Sequence, residues 1–468
     1  MRVPKILQDI SKELDNIGAK AIIVGGSVRD YILGRDSKDY DIEVYGLETL
    51  EELEKILQKY GKVNLVGKSF GVLKFVYEGF EYDFSFPRIE KKVSSGHRGF
   101  DISIDGALNY KEAAKRRDFT INSLGYDIQK NKILDPYGGI DDINNLILRH
   151  INNKSFIEDP LRVYRGVQFC ARFNLSMDKE TKKLCKDMVN RGDLDELPKE
   201  RVYEEFKKLL LKSKKPSIGF ELMRQLGIIK RYFKPLYKII GVPQSPKWHP
   251  EGDVWTHTMM SLDAMASILE NIDNLTQKDK LKLMFAILCH DLGKATTTKI
   301  IDGEIRALNH DIAGVEPTQK FLEILTNEQD FIDSIKPLVR YHLMPSMLYK
   351  SNAKDGAIRR LSTKVNIKEL ILVAKADFLG RMTKEAKLGV YEAGEWLLNR
   401  SKDLNILDKP PKPLIMGKDL ITLGFKPSPK FKEILNKIYQ MQLDGVFKDK
   451  NEALEYININ YAENNSKK

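Results

Sequence analysis

The stretch Gly25-Gly26-Ser27-Val28-Arg29-Asp30-Tyr31-Ile32-Leu33-Gly34-Arg35, followed by Lys38-Asp39-Tyr40-Asp41-Ile42-Glu43-Val44, decides the fold class of the N-terminal part. Ala21-Ile22-Ile23-Val24 before it has the length and apolar character of a buried strand. The Gly-Gly pair then predicts a turn, followed by a short helix and a strand over 39–45. On a strand, a spacing of two puts Asp39 and Asp41 on one face, with Tyr40 and Ile42 on the other. Converging carboxylates give Mg²⁺ the oxygen ligands it demands and leave room for triphosphate oxygens. Two such metals can activate a 3′-hydroxyl and stabilise departing pyrophosphate. Glycines 25 and 26 let backbone N–H groups approach a phosphate at a helix N-terminus, and Arg29 can add a bidentate contact. Acidic pairs on wet strand faces are common. Joined to Gly-Gly and Arg in one strand–helix–strand unit, this pair points to nucleotide chemistry.

Outward from this stretch, Ile6, Leu7, Ile10 and Leu14 recur at helical spacing. A helix is predicted at about 47–60 and strands at roughly 62–67, 71–77 and 80–86. Residues 1–150 therefore read as a mixed sheet domain. From 151 onward the pattern is helical with hardly any strand. A neck over 151–240 ends at the Pro-containing joint Gly241-Val242-Pro243-Gln244-Ser245-Pro246, which opens a helical block over 241–385. The rest, 386–468, is a helical tail with a Pro/Lys linker at 408–413; its basic amphipathic helix around Phe431, Ile434, Leu435 and Ile438 either grips RNA or caps the fold.

Of the 468 residues, 42% are hydrophobic, enough for more than one core. Lys plus Arg exceed Asp plus Glu by 77 to 66, and the net charge of +11 suits a polyanionic partner. Cys170, Cys185 and Cys289 are widely spaced, which argues against a disulfide framework or a zinc ribbon. No apolar run is long enough to span a membrane, and the first residues lack the apolar core of a signal peptide, so a cytoplasmic enzyme is expected.

Further motifs follow in order: Arg116-Arg117-Asp118-Phe119-Thr120-Ile121-Asn122-Ser123, Asp135-Pro136-Tyr137-Gly138-Gly139, Glu158-Asp159-Pro160-Leu161-Arg162 and Glu200-Arg201-Val202-Tyr203-Glu204-Glu205. With the Gly-Gly and Asp-x-Asp elements, the series over 21–205 resembles the class II CCA-adding enzyme and bacterial poly(A) polymerase family. The resemblance implies a polymerase-β-like nucleotidyltransferase sheet domain. It implies that Asp39 and Asp41 hold catalytic Mg²⁺, that Gly26, Arg29 and Arg117 cradle the triphosphate, and that Asp118 and Asn122 sit near the sugar. Asp159, Arg162 and Arg165 recur every three residues and are expected on one helix face. There they would pair with the Watson–Crick edge of C or A. The family often has a further arginine after Arg165; this chain has Gln168, with Arg172 four residues on. Asp83 shares a strand face with Glu81 and is a supporting carboxylate or, the preferred reading, a wet-face one, and His97 is an RNA contact or, the preferred reading, a solvated loop histidine.

His257, His290-Asp291 and Asp377 form a second series. Imidazoles and carboxylates in this order resemble HD-family phosphohydrolases, whose metal acidifies a water for attack on phosphate esters. His310 and His342 lie where many HD enzymes place extra histidines, for a second metal or for the substrate phosphate. The segment from Gly241 to Glu251, with Trp248-His249-Pro250-Glu251, is similar to that of bacterial multifunctional CCA proteins; His249 itself reads as structural. That resemblance implies an HD domain of the 2′,3′-cyclic phosphodiesterase, 2′-nucleotidase and phosphatase type, with a divalent transition metal such as Ni, Mn or Co. The expected activity is addition of CCA to tRNA from CTP and ATP. An A-adding enzyme, a poly(A) polymerase, and an HD phosphohydrolase with an RNA-holding head are the alternatives. A non-catalytic RNA-binding protein does not fit intact Asp39, Asp41, Arg117 and Arg162.

Overall fold

The computed structural model describes residues 1–36, 39–67, 71–92, 100–104 and 108–461, and the chain divides into two units. Unit 1 comprises Met1–Ser213 with Ile218–Ile228, and unit 2 comprises Lys214–Ser217 with the chain from Ile229 onward.

Unit 1 begins with helix α1 (Lys5–Asn16), which buries Ile6, Leu7, Ile10 and Leu14, the set with helical spacing. Strand β1 (Lys20–Val24) runs into Gly25, whose φ of 74° lies in the left-handed region where a side chain is strained. A Cβ there would also come within 3.2 Å of the Arg117 Nη1 atom. Helix α2 (Gly26–Ile32), strand β2 (Tyr40–Tyr45) and helix α3 (Leu50–Gln58) follow, with the Thr49 hydroxyl oxygen accepting from the Glu52 N–H to cap α3. Strands β3 (Lys62–Gly67), β4 (Val72–Tyr77) and β5 (Phe80–Ser85) lie within a residue of the predicted ones. A separate antiparallel ribbon pairs β6 (Arg88–Lys92) with β7 (Phe100–Ile104). His97 lies outside the described residues. Helix α4 (Tyr110–Ala114) leads to β8 (Gly125–Asp127) and β9 (Lys132–Leu134).

The seven-stranded sheet has the order β3-β4-β5-β2-β1-β8-β9. Only the β2–β5 pair is parallel, and its register sets Asp83 directly beside Asp41, while Asp41 faces Val24 of β1. Helix α5 (Gly139–Asn144) and the two-residue strand β10 (Ile147–Leu148) close the sheet region. Then come α6 (Asn153–Glu158), α7 (Leu161–Phe173), β11 (Ser176–Met177) parallel to β10, α8 (Lys179–Arg191) and α9 (Lys199–Lys212). The rings of Tyr164 on α7 and Phe206 on α9 lie 6.3 Å apart, and Phe206 also meets Phe220 at 5.9 Å. Burying such rings contributes about 2 kcal/mol each, which holds α7 against α9.

Unit 2 is built on helices Val254–Glu270, Gln277–Cys289, Val315–Leu325, Gln329–Tyr341 and Ile367–Leu379, with Phe285 packed 6.3 Å from Phe321 and 6.1 Å from Phe331. The all-helical expectation for this block misses a hairpin, Thr298–Ile301 paired with Glu304–Ala307. Its turn residues Asp302 and Gly303 both have positive φ, 53° and 78°, the primed geometry that matches strand twist. In the tail, Ile434 and Ile438 of helix Lys430–Leu443 join Leu420, Ala453 and Ile457 in a small core, so packing uses the apolar side of that helix. Cys170, Cys185 and Cys289 are free and buried, and burial raises their thiol pKa values. No helix among the described residues is long and apolar enough to cross a membrane.

Candidate functional sites: a nucleotide cavity and a histidine–aspartate cluster

In unit 1 residues from most of the motifs line one cavity of about 530 Å³, the Asp135–Gly139 element excepted. Gly25, Gly26 and Arg29 come from the turn and α2, Asp41 from β2, and Arg117, Asp118 and Asn122 from the segment before β8. Asp159 stands just before Pro160, and Arg162 and Arg165 come from the first turns of α7. Asp39 sits one residue before β2, is exposed, and does not line the cavity. Its charge still adds to the field at Asp41. The Asp41 carboxyl is held above its ordinary pKa by the protein packed around it and by Asp83, with Arg117 opposing and Asp39 and Glu43 adding to the rise. Carboxylates that repel one another beside a phosphate-sized cavity suit a divalent cation.

The arginines are braced before any ligand arrives. Glu43, buried beneath the site, accepts from Arg117 Nη2 at 2.7 Å, from Arg116 Nη2 at 3.3 Å and from the Tyr45 hydroxyl at 2.7 Å. Burial raises its pKa, but Arg117 and Arg116 outweigh that and hold it below the ordinary value. Arg29 Nη1 donates to Asn122 Oδ1 at 2.5 Å, Asn122 Nδ2 to Asp118 Oδ1 at 2.9 Å, and Arg165 Nε to Asp118 Oδ2 at 2.8 Å. A single network therefore ties α2, the Arg117–Asn122 segment and α7 together. Arg162 donates to the carbonyls of Ser155 and Arg116 at 2.9 and 2.8 Å, which fixes its plane.

Asp159 departs from the helix-face expectation. It precedes Pro160, the residue before a proline is driven to extended backbone, and Asp159 has φ −122° and ψ 96°. Its carboxylate accepts the Leu161 N–H at 3.2 Å and lies 3.6 Å from Arg201. Arg201, which sequence reading passed over as a site residue, thus reaches the cavity from α9. Arg172 and the buried Gln168 also line it, together with Lys208 and Lys212. Asp83 was read as a wet-face residue; register alone brings it to Asp41.

In unit 2, His257, His290, Asp291, Asp377, His310 and His342 all fall in one buried cluster. Asp253 caps the helix that carries His257 by accepting from the Thr256 N–H at 2.9 Å. His290 and Asp291 follow the last turn of helix Gln277–Cys289, and Asp377 projects from helix Ile367–Leu379. His257 Nε2 lies 3.1 Å from Asp377 Oδ1 and 3.4 Å from His290 Nε2, and His290 Nε2 lies 3.2 Å from Asp291 Oδ2. On its other side Asp291 Oδ1 is 3.3 Å from His310 Nε2, which is 3.3 Å from His342 Nε2. Asp291 is thus shared by two trios of ligand-type atoms.

The tautomers follow from the outer contacts. Nδ1 of His290, His310 and His342 each donate at 2.7 Å to a carbonyl three residues back, those of Ile287, Ala307 and Val339. His257 Nδ1 donates to Glu251 Oε1 at 2.8 Å. With Nδ1 as donor, His310 and His342 turn Nε2 lone pairs toward one another, a pairing that suits a metal ion, whereas for His257 burial is outweighed by contacts to Asp377 and Glu251, which hold it above its ordinary pKa. Burial lowers His342 to about 3, with His310 and His290 adding to the effect, and burial also lowers His310. For Asp291 burial is outweighed by His290 and Lys294, and for Asp377 by Arg381 and His257, so both sit well below the ordinary carboxylate pKa.

Gly293 is required here: a Cβ on it would stand 2.0 Å from the His310 carbonyl oxygen. Sequence reading missed Glu251, Lys294 and Arg381. Lys294 Nζ lies 2.7 Å from Asp291, and Arg381 Nη2 donates to both Asp377 oxygens at 2.9 Å. Their spacing from the acids they serve, i,i+3 and i,i+4, was the available signal. His249, read as structural, packs 4.6 Å from the His257 ring and shares Glu251 with it.

Three family models match segments of the chain. The poly(A) polymerase head domain model matches residues 21–149, "Probable RNA and SrmB- binding site of polymerase A" matches 174–239, and the HD domain model matches 254–382. A nucleotidyltransferase head and an HD domain both imply dependence on divalent metal ions. Among solved structures, the Bacillus stearothermophilus CCA-adding enzyme in complex with CTP matches with a TM-score of 0.64 and 21% identity, covering 99% of this chain and 100% of that one. The Thermotoga maritima CCA-adding enzyme complexed with tRNA matches with a TM-score of 0.59 and 21% identity over 97% and 95% of the two chains. These two likenesses establish the fold. The multifunctional CCA protein of Mannheimia succiniciproducens is 34% identical over 370 residues, 77% of this chain and 84% of that protein. Identity at that level, over so much of both proteins, places this chain in the family of multifunctional CCA proteins.

Proposed function

We propose that this chain adds CCA to tRNA 3′ ends from CTP and ATP without a nucleic-acid template, and that its HD domain hydrolyses phosphate esters at RNA ends. The first activity rests on one observation: a single cavity gathers Gly25, Gly26 and Arg29, Asp41, Arg117, Asp118 and Asn122, Asp159 and Arg162, and Arg201, residues from four separate motifs. We assign the head to 1–150, the neck to 151–240, the HD domain to 241–385 and the tail to 386–468, in a cytoplasmic enzyme.

Asp39 and Asp41 hold Mg²⁺ in this reading, with Asp83 beside them. When bound, the metal neutralises charge on the reacting phosphate. The backbone at Gly26, with Arg29 and Arg117, receives the triphosphate, and Asp118 and Asn122 lie at the sugar. Asp159 accepts from and Arg162 donates to the base edge, and Arg165 keeps Asp118 in place. Arg172 takes the phosphate contact that Gln168 cannot make. CTP and tRNA are the ligands in the Bacillus and Thermotoga structures, and a chain of net charge +11 suits the same partners.

In the HD cluster His257, His290, Asp291 and Asp377 hold one metal, and His310 and His342 share Asp291 toward a second. The mixed imidazole and carboxylate donors suit a transition metal such as Ni, Mn or Co better than Mg²⁺. When bound, it acidifies water and polarises the phosphate ester. Lys294 and Arg381 hold the two acids in position, and 2′,3′-cyclic phosphates and 2′-phosphates are the substrates.

Purified tRNAs ending before CCA, after C and after CC, each given Mg²⁺ with CTP, ATP or both, test the head. Extension that stops at CCA supports the proposal. Addition of A only to the CC end, a long ladder of A, or no extension would each overturn it in favour of an A-adding enzyme, a poly(A) polymerase, or the HD site as the main activity.

A further inference from the structure

Beside the HD cluster lies an aromatic side chain that holds none of its ligands in place. Trp248 lines a cavity of about 300 Å³ together with His310, Lys294, Lys350 and Arg381. Its indole is 52% exposed, although a ring of that size is usually highly buried. Lys247 Nζ lies 5.0 Å and Lys350 Nζ 5.6 Å from the ring centre. The cluster side of the cavity is cationic: Arg381 clasps Asp377, and Lys294 lies 2.7 Å from both Asp291 Oδ2 and Gln244 Oε1. A half-exposed indole next to a cationic wall fits a nucleoside phosphate, because a base can take the lysines' place on the ring while the phosphate meets the cations. A phosphate ester without a base can use only the cations.

We propose that Trp248 is the base-stacking platform of the HD site. The site takes a terminal nucleoside 2′-phosphate or 2′,3′-cyclic phosphate with its base against the indole and its phosphate toward Lys294 and Arg381. This rests on the phosphohydrolase reading, and it makes Trp248 a specificity determinant outside the metal cluster. At the small end of ligand pockets, the cavity suits a single terminal nucleotide.

The test uses the full-length protein. Its three tryptophans, Trp248, Trp255 and Trp396, all lie in unit 2, so indole emission reports on this unit and not on the nucleotide cavity of the head. Adenosine 2′-monophosphate and glycerol 2-phosphate, one with a base and one without, are compared by emission quenching and by hydrolysis with Co²⁺ or Ni²⁺. The expected result is quenching by the nucleotide that Trp248→Phe removes. The ratio of kcat/KM for the nucleotide over glycerol 2-phosphate falls about tenfold in Trp248→Ala and recovers in Trp248→Phe. A ratio unchanged in Trp248→Ala overturns the proposal. Parent protein that hydrolyses neither ester with either metal overturns the phosphohydrolase reading; the platform then stands if the quenching remains and falls if it does not. A short RNA ending in a 2′,3′-cyclic phosphate separates the sources. An equal Trp248→Ala penalty on RNA and mononucleotide supports a terminal nucleotide, and a penalty confined to the mononucleotide overturns the RNA-end form.

Discussion

Asp41 in the head and Asp291 in the HD cluster are both proposed here as cation ligands, yet their surroundings push them in opposite directions. Asp41 is exposed at the end of a strand, and the packed protein around it and Asp83 keep its carboxyl above the ordinary pKa. Asp291 is 1% exposed, and His290 and Lys294 overcome its burial to hold it well below that value. The head leaves its acid under-compensated, so a cation is bound most favourably when triphosphate comes with it. The HD cluster compensates each acid within the fold, so its ligands are arranged before a metal arrives.

The largest effects should separate the two sites cleanly. Asp41→Ala should lower nucleotide addition roughly 10³-fold or more while 2′-nucleotide hydrolysis continues, read by primer extension and phosphate release on one preparation. Asp291→Ala should do the reverse, removing hydrolysis to a similar extent and sparing addition. Loss of both activities from either variant, with the fold intact by circular dichroism, would mean that the sites are not independent.

Glu251→Ala sharpens the contrast at lower amplitude. Because Glu251 fixes the His257 tautomer, metal affinity by calorimetric titration should weaken by about 10–100-fold. An unchanged affinity would show that the cluster is not organised from its outer contacts.

The smallest effect concerns stability. Arg165→Ala removes the ion pair to Asp118 and should cost about 1.5 kcal/mol in urea unfolding. Burial raises the Asp118 pKa, but Arg165, Asn122 and Arg162 outweigh it and hold the group below its ordinary value. A folded-state pKa below the unfolded one contributes stability above about pH 4, which is lost as pH falls through the folded value. The gap between variant and parent should therefore narrow below about pH 4, and a gap constant from pH 7 to 3 would sink this account.

What could be read in advance was local. The strand before Gly25, the helix carrying Leu7 and Leu14, and the His290-Asp291 pair each announce themselves within a few residues. Asp83 could be named as a supporting carboxylate but not ranked, because its place beside Asp41 depends on a parallel pairing between strands 40 residues apart in sequence, and neither strand encodes its register. Glu251 sits in a Pro- and Gly-containing segment that reads as linker. Its value appears only when Asp253 starts the helix that brings His257 over it. The hairpin at 298–307 was legible: Asp302-Gly303 between Ile300-Ile301 and Ile305 is a hairpin signal, outweighed by the helical sequence on either side.

Three of the four cluster histidines anchor their rings on main-chain carbonyls three residues back. A carbonyl survives almost any substitution of the residue that bears it. The orientation of those rings is thus inherited from the path of the chain, and mutation has little purchase on it. His257 alone leans on a side chain, that of Glu251. Substitution can therefore re-aim one of the four rings directly, through position 251, while the other three turn with the backbone.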